Sequence, residues 1–331
     1  MTQNDHEPGD MAIRRQMDVF QAAVASFLKP HQPFSLLDVP EHNNIGDSAI
    51  YAGEIAFFDV HAGYRADCVC TWNTDMDWLE RQLPADGPIF LHGGGNFGDL
   101  WLNHQTFRHR VLERFSGRKI VQLPQSIHYR DPRKISETAR LIASHGNFTL
   151  LVRDEPSREL ARKHFDCEVI LCPDAAMMLW KLDPDVTPQT DVLVTLRDDI
   201  EAVQSDMHDW LKNHYPTADW VNVNVWSLPV RSVWKLVRSL PENRLGMIWR
   251  EAMYRSQARQ RVMAGARQLA QGRRIVTDRL HMHLISSLLR RPHVVLDNSY
   301  GKISRYIDAF GQDDLTVRVS SLAELQDALT R

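Results

Sequence analysis

Apolar positions in the first half of the chain fall into short runs separated by longer stretches of helical spacing. FSLLDV, from Phe34 to Val39, is an apolar run of strand length, and IGDSAIYAGEIAFF after it has the spacing of a helix. PIFLH, from Pro88 to His92, predicts another strand, and the stretch around Leu100 to Phe115 another helix. KIVQLP, a helix near Pro132 to His145, FTLLV, a helix from Glu155 to His164 and CEVILC repeat the alternation. Strands alternating with helices imply βαβ units on a parallel sheet, and right-handed crossovers make it a doubly wound layer. KLDPDVTPQT, from Lys181 to Thr190, breaks the pattern with prolines and no apolar period, and reads as a linker. DVLVTLR opens a second alternating unit, with a long helical stretch near Arg250 to Gln271. RRIVTD, a helix through Arg290, HVVLDN and LTVRV follow, then a closing helix with Ser320 or Ser321 as its cap. The expectation is an α/β protein of two Rossmann-like lobes, 1–182 and 191–331, facing a cleft. In open α/β sheets ligands bind beyond the carboxyl ends of the strands, so chemistry is sought just after each run.

Composition agrees with this reading and narrows the partners. A chain of 331 residues exceeds a usual single domain, and a 43% hydrophobic share fills ordinary cores. With 39 Lys and Arg against 42 Asp and Glu, the near-neutral charge of −3 argues against a dedicated nucleic-acid binder. The opening MTQNDHEPGD has no apolar core after a basic start, so no signal peptide is expected. No apolar run approaches the ~20 residues that span a bilayer. Cys68, Cys70, Cys167 and Cys172 lack zinc spacing and read as reduced thiols of a cytoplasmic protein. One region departs from neutrality: Arg231 to Arg291 holds 14 Lys or Arg and 3 Asp or Glu, with Trp234, Trp249 and Tyr254 interleaved. It is either a basic face for an anionic or lipid-linked acceptor at a membrane surface, or a solvated helical surface.

Six motifs carry candidate chemistry. In EHNNIGDSAI, Asn44, Gly46 and Asp47 stand where a strand turns into a helix, either capping it or offering its free N–H groups to an anion. In HGGGNFGDLW, Gly93, Gly94 and Gly95 allow a close backbone approach or an anion nest, with Asn96 and Asp99 at the same mouth. Neither a Walker nor a dinucleotide spacing is present. LPQSIHYRD offers Gln125, Ser126 and His128. LLVRDEPS places Arg153 immediately after a strand, as a bidentate clamp for phosphate or carboxylate or as a salt-bridge partner of Asp154 or Asp174. LCPDAAMML brings Asp174 to another strand end. In TDRLHMHLISSLLRRPHVVLDNSYGKISRY, Thr277 or Asp278 is the expected cap, with Arg279 and His281 in the first turn. An arginine at the positive end of a helix suggests a compensating anion. His281 and His283 are two apart and diverge, so they do not share a metal. Lys302 adds a cation after the next strand.

Together NNIGDSA, HGGGNFGD, LPQSI, VRDEPS, CPDAAM and TDRLHMHLISSLLRRPHVVLDNSYGKI resemble the polysaccharide pyruvyl transferases, in family order, from about Asn43 to Lys302. The resemblance implies a fold like the GT-B glycosyltransferases, with a phosphoenolpyruvate donor site between lobes and no cofactor or metal. It implies a sugar or lipid-linked oligosaccharide acceptor, and site positions at Asp99, Arg153, Asp174, Arg279 and His281, with Lys302 beside them. Phosphoenolpyruvate carries a phosphate and a carboxylate, which asks for at least two cationic clamps; Arg153 and Arg279 supply them. Forming a ketal requires a proton at the enol carbon, and His281 is the expected proton-transfer group, with Asp99 or Asp174 to orient it or to deprotonate an acceptor hydroxyl. A nucleotide-sugar glycosyltransferase of the same shape would want a ribose-binding carboxylate in the second lobe, which no motif supplies. A non-catalytic carbohydrate-binding protein would not need both Arg279 and His281 beside a glycine run.

Overall fold

The computed structural model describes residues 10–63, 65–197, 202–203, 205–218, 236–237, 244–297 and 301–330. The first sheet is built from β1 (Ser35–Leu37), β2 (Cys68–Cys70), β3 (Ile89–Leu91), β4 (Gly94–Gly98), β5 (Ile120–His128), β6 (Phe148–Val152) and β7 (Glu168–Leu171). Its order is β2-β1-β3-β5-β6-β7, with β4 paired to β5, and every pairing is parallel. β1, β2, β3 and β6 are buried along their whole length, which is why they read as unbroken apolar runs rather than alternating ones. The helices around this sheet are α1 (Asp10–Ala25), α2 (Ile45–His61), α3 (Met76–Gln82), α4 (Leu102–Arg114), α5 (Pro132–His145) and α6 (Glu155–His164).

The second sheet holds β8 (Thr190–Thr195), β9 (Gly272–Thr277), β10 (His293–Val295) and β11 (Thr316–Arg318), all parallel in the order β11-β10-β9-β8. Its helices are α7 (Asp206–His214), α8 (Arg244–Leu269), α9 (Leu280–Leu288), α10 (Lys302–Phe310) and α11 (Leu322–Thr330). The irregular stretch before β8 separates the two sheets where the prolines stand. It does not separate the core. Ala258, Val262, Ala266 and Leu269, at helical spacing along α8, are buried in the same apolar cluster as Ile45, Ile55 and Phe58 of α2. Ile285 of α9 and Ile303 and Ile307 of α10 belong to it as well. A smaller cluster around Val192, Val194, Leu211 and Val276 is confined to the second sheet.

Three local expectations are corrected. The glycine run, expected as a close backbone approach or an anion nest, continues as a short strand: Gly94–Gly98 pairs with β5, entered and left through Gly94 and Gly98 at φ 126° and 122°. Thr277 and Asp278 do not cap α9; Arg279 is the N-cap, with its own N–H donating to Thr277 Oγ1 at 3.1 Å. The basic stretch is not one solvated face. Arg255 is buried against Glu251 and bonds Asp59 of α2 at 2.7 Å, Arg261 is buried beside Asn43, and Arg290 pairs with Asp10. Trp234 and much of the segment before α8 lie outside the described residues, while Trp249 is exposed. The amphipathic α1 had no counterpart in the sequence reading; it buries Ile13, Gln16, Phe20 and Val24. Among the described residues no helix is long and apolar enough to cross a membrane.

Candidate active site

Strand ends from both sheets converge on one cavity of about 500 Å³. From the first sheet come Asp38 after β1, His92 after β3, Gly95 and Asn96 in β4, and Arg153 after β6. From the second come Arg197 after β8, Arg279 and His281 after β9, and Lys302 beyond β10. The start of α2 adds Asn44 and Asp47, and Trp101 and His104 line the cavity from the start of α4. Parallel strands aim their carboxyl ends the same way, so each sheet delivers its polar residues to a single edge.

The cationic wall is held by a chain of hydrogen bonds and an ion pair. Arg153 is almost fully buried and pairs with the equally buried Asp174. Its Nε donates to Ser126 Oγ at 3.0 Å, and Ser126 Oγ in turn donates to Asp154 Oδ2 at 2.7 Å. Asp174 caps the short 3-10 turn Ala175–Leu179 by accepting from Ala176 N, and its own N–H donates to Tyr306 of α10. Tyr306 then donates to Gln16 of α1 at 2.7 Å, so the first helix buttresses the site from behind. Burial works against the charge of Asp174, but the Arg153 guanidinium and His281 hold its carboxyl well below the usual range. Gly95 lets this wall close up: a Cβ there would stand 3.2 Å from Arg153 Nη2 and 3.9 Å from Lys302 Nζ.

His281 sits at the meeting point. Its Nε2 is 3.4 Å from both Asp174 Oδ2 and Arg153 Nη1. Without a proton, Nε2 can only accept from Arg153; with one, it can only donate to Asp174, so the partner follows the protonation of that nitrogen, through tautomer as well as charge. The ring lies over the first turn of α2, where a Cβ on Gly46 would meet its Nδ1 at 2.4 Å. Gly46 is needed for that contact, and Asn44 is the α2 cap, accepting from Gly46 N at 2.8 Å. His283 diverges as expected and is buried against His293 at 2.7 Å.

The opposite side of the cavity carries histidines and carboxylates. Asp47 lies 3.5 Å from His42; burial raises its pKa, but His42, His281, His92 and His104 together bring it below the ordinary value. Asp38, buried and in the left-handed region at φ 65°, bonds His104 Nδ1 at 2.8 Å. His92 is buried and bonds Glu54 Oε2 at 2.8 Å through Nδ1. Glu54 Oε1 takes the Gly93 N–H at 2.9 Å.

Several expected residues support the site without lining it. Gln125 is buried behind β4, bonding Asn96 and the His92 carbonyl. Ser126 serves Arg153 as above, and Gly93 and Gly94 bring the chain past α2. Asp99 does not reach the cavity: its carboxylate accepts the backbone N–H groups of Arg130 and Asp131 and fixes the turn into α5. His128 ends β5 beside Gly98, also away from the cavity. Asp38, Glu54, His42, His92, Trp101, His104 and Arg197 escaped the sequence reading. Asp38, His92 and Arg197 each close an apolar strand run and could have been found by that rule; Glu54, inside a helix, carries no such signal.

A sequence profile described as polysaccharide pyruvyl transferase matches residues 44–300. EpsO of Bacillus subtilis, provisionally named a pyruvyl transferase, is 30% identical over 88% of this chain and 89% of its own. Pyruvyl transferase 1 of Schizosaccharomyces pombe is 31% identical over 82% of this chain and 68% of its own. The crystal structure of a functionally uncharacterized protein of Klebsiella pneumoniae shares the fold, at a TM-score of 0.63 and 17% identity, over 92% of this chain and 99% of that one. With the family's profile covering most of both sheets, from the cap of α2 to beyond β10, this chain belongs to the polysaccharide pyruvyl transferase family.

Proposed function

We propose that the protein transfers a pyruvyl group from phosphoenolpyruvate to two hydroxyls of a sugar in a polysaccharide or its lipid-linked precursor, forming a ketal. In this reading the sheets are the cores of two Rossmann-like lobes, 1–182 and 191–331, set about the cavity as in GT-B glycosyltransferases, and the enzyme works on the cytoplasmic side. The observation that carries it is the convergence of Arg153, Arg197, Arg279 and Lys302 on one cavity with His281 among them. A small ligand with two anionic groups matches that wall, and arginine forks bind both groups bidentately. Neutral sugar hydroxyls suit the opposite side, where Asp38, Asp47, His42 and His104 offer hydrogen bonds.

The residues divide the reaction as follows. Arg153 and Arg279 hold the donor's phosphate and carboxylate, with Lys302 and Arg197 beside them. His281, protonated, gives its proton to the enol carbon C3, and an acceptor hydroxyl adds to C2. Phosphate leaves with the bonding electrons, and a second hydroxyl adds to C2 to close the ketal. Overall, one hydroxyl proton ends on C3 and the other on phosphate. Binding of phosphoenolpyruvate followed by calorimetry, and phosphate release measured with a panel of sugar acceptors, test the reading. Arg153→Ala and Arg279→Ala should each weaken donor binding by ~1.5–3 kcal/mol. His281→Ala should cut turnover by ~10²–10⁴-fold while changing donor affinity far less. Wild-type protein that neither binds phosphoenolpyruvate nor releases phosphate from it with any acceptor would refute the assignment.

A further inference from the structure

Ketal formation removes protons from two acceptor hydroxyls, and a base must receive them. The carboxylates expected for this task are otherwise engaged: Asp99 lies outside the cavity on backbone N–H groups, and Asp174 is tied to Arg153. His92 is not so engaged. Its ring lines the cavity, the residue is only 2% exposed, and its Nε2 is buried with no hydrogen-bond partner. A buried imidazole nitrogen left unsatisfied is costly, which asks for a ligand group at that point. Its other nitrogen, Nδ1, is fixed by Glu54 at 2.8 Å, and Glu54 is itself fully buried with its second oxygen on Gly93 N.

From this geometry we propose that His92 is the base that takes a proton from an acceptor hydroxyl, with Glu54 as its positioning residue. Glu54 accepts Nδ1–H and leaves Nε2 with a free lone pair. As the acceptor oxygen bonds to C2 of the donor, its O–H bond breaks and the proton moves to Nε2, giving an imidazolium that Glu54 stabilises. Hydroxyl, histidine and carboxylate then stand in the relation that a serine, histidine and aspartate hold in a hydrolase triad, with the sugar supplying the nucleophile. The imidazolium returns its proton to the departing phosphate, and the proton of the second hydroxyl restores His281, so both histidines end the cycle as they began. His281, against Asp174 and Arg153 on the cationic wall, serves the enol carbon, and His92 serves the acceptor.

The surroundings tune the base in the same direction. Burial disfavours a charged His92, but Glu54, with Asp47 of α2 and Asp38 after β1 behind it, raises its pKa above the ordinary histidine value. Tyr51 of α2 packs edge-on at 6.3 Å, and His42, on the loop before α2, interacts electrostatically with His92, its own pKa lowered chiefly by burial. A base with a raised pKa is protonated, and inactive, in acid. Turnover should therefore fall along an acid limb lying above the pH of an ordinary histidine.

This inference rests on the pyruvyl-transfer reading, and the experiment separates the two. Phosphoenolpyruvate affinity is measured by titration calorimetry, and phosphate release with a sugar acceptor is followed against pH, in wild type, His92→Gln and Glu54→Gln. The His92 imidazole is titrated in parallel by nitrogen-15 NMR in wild type and Glu54→Gln. The expected result is a His92→Gln enzyme that binds the donor within a few-fold of wild type but turns over ~10²–10⁴-fold more slowly. Glu54→Gln should move the acid limb and the His92 titration together to lower pH. Thermal melts identify a variant that fails to fold, and the NMR titration of folded protein then decides the matter alone. Wild-type turnover in folded His92→Gln, or a His92 titration unmoved by Glu54→Gln, would overturn the role of the pair. Wild-type protein inert toward phosphoenolpyruvate would instead overturn the underlying function.

Discussion

A methyl group added at Gly46 would stand 2.4 Å from the His281 ring and 3.1 Å from the Asn44 side chain. The backbone there is ordinary helix, where alanine is favoured over glycine by ~1 kcal/mol. Gly46→Ala should thus still fold, the helix gain offsetting part of the clash, while displacing the ring proposed to transfer the proton. A misplacement of about 1 Å can cost ~10²-fold in rate, so phosphate release should fall by one to two orders of magnitude with the fold intact. Undiminished release would show that the ring does not need that contact. The sequence placed Gly46 correctly at the mouth of a helix but for another reason, an anion or a turn; the side chain it actually admits comes from the far end of the chain. Arg153 and Asp174 were legible because the first directly follows a strand and the second stands three residues beyond one. The pairing of His92 with Glu54 was not, since only the folded packing of β3 on α2 brings a helix-interior carboxylate under a strand-end histidine.

Among elements, α9 has two unlike faces. His281 turns to the cavity, while His283 is buried with its Nδ1 2.7 Å from His293 Nε2 on β10, which Thr316 also contacts at 2.9 Å. Burial pushes the His283 pKa down to about 3 and lowers that of His293, against the smaller pull of Asp313. In the unfolded chain these rings titrate near ~6.5. Below that pH the unfolded state binds protons that the folded state refuses, so stability is full above it and is lost as pH falls toward about 3. Denaturant midpoints at pH 7.5 and 5.5 should therefore differ less in His283→Leu than in wild type; an equal acid loss in both would remove the pair from the account. The divergence of the two histidines followed from helical geometry alone. The strand character of Gly94–Gly98 did not, because five residues with three glycines have no intrinsic preference for a strand and acquire one only by pairing with β5. The cap of α9 was missed by one or two positions, as helix ends usually are.

For the whole molecule, the linker marks a change of sheet but not a division of the core. α8 packs its apolar stripe on α2, and Arg255 ties the same two helices through Asp59. A chain whose two sheets share one apolar cluster should unfold as one unit, so calorimetry and tryptophan fluorescence are expected to report a single, coincident transition. Two resolved transitions would mean that the sheets are independently stable. The alternation of runs foretold two parallel sheets, but nothing in local periodicity says which helix crosses from one to the other. A last consequence concerns throughput. Arg153 has a carboxylate of its own, Asp174, on its guanidinium. If Arg153 holds the donor's phosphate as proposed, that internal anion competes for the same guanidinium once the bond to phosphate breaks, and helps to expel the spent group. Inorganic phosphate should accordingly be a feeble product inhibitor of the wild type and a much stronger one of Asp174→Asn, whose amide has no charge with which to reclaim the arginine. Equal inhibition constants in the two proteins would show that phosphate departs without that competition.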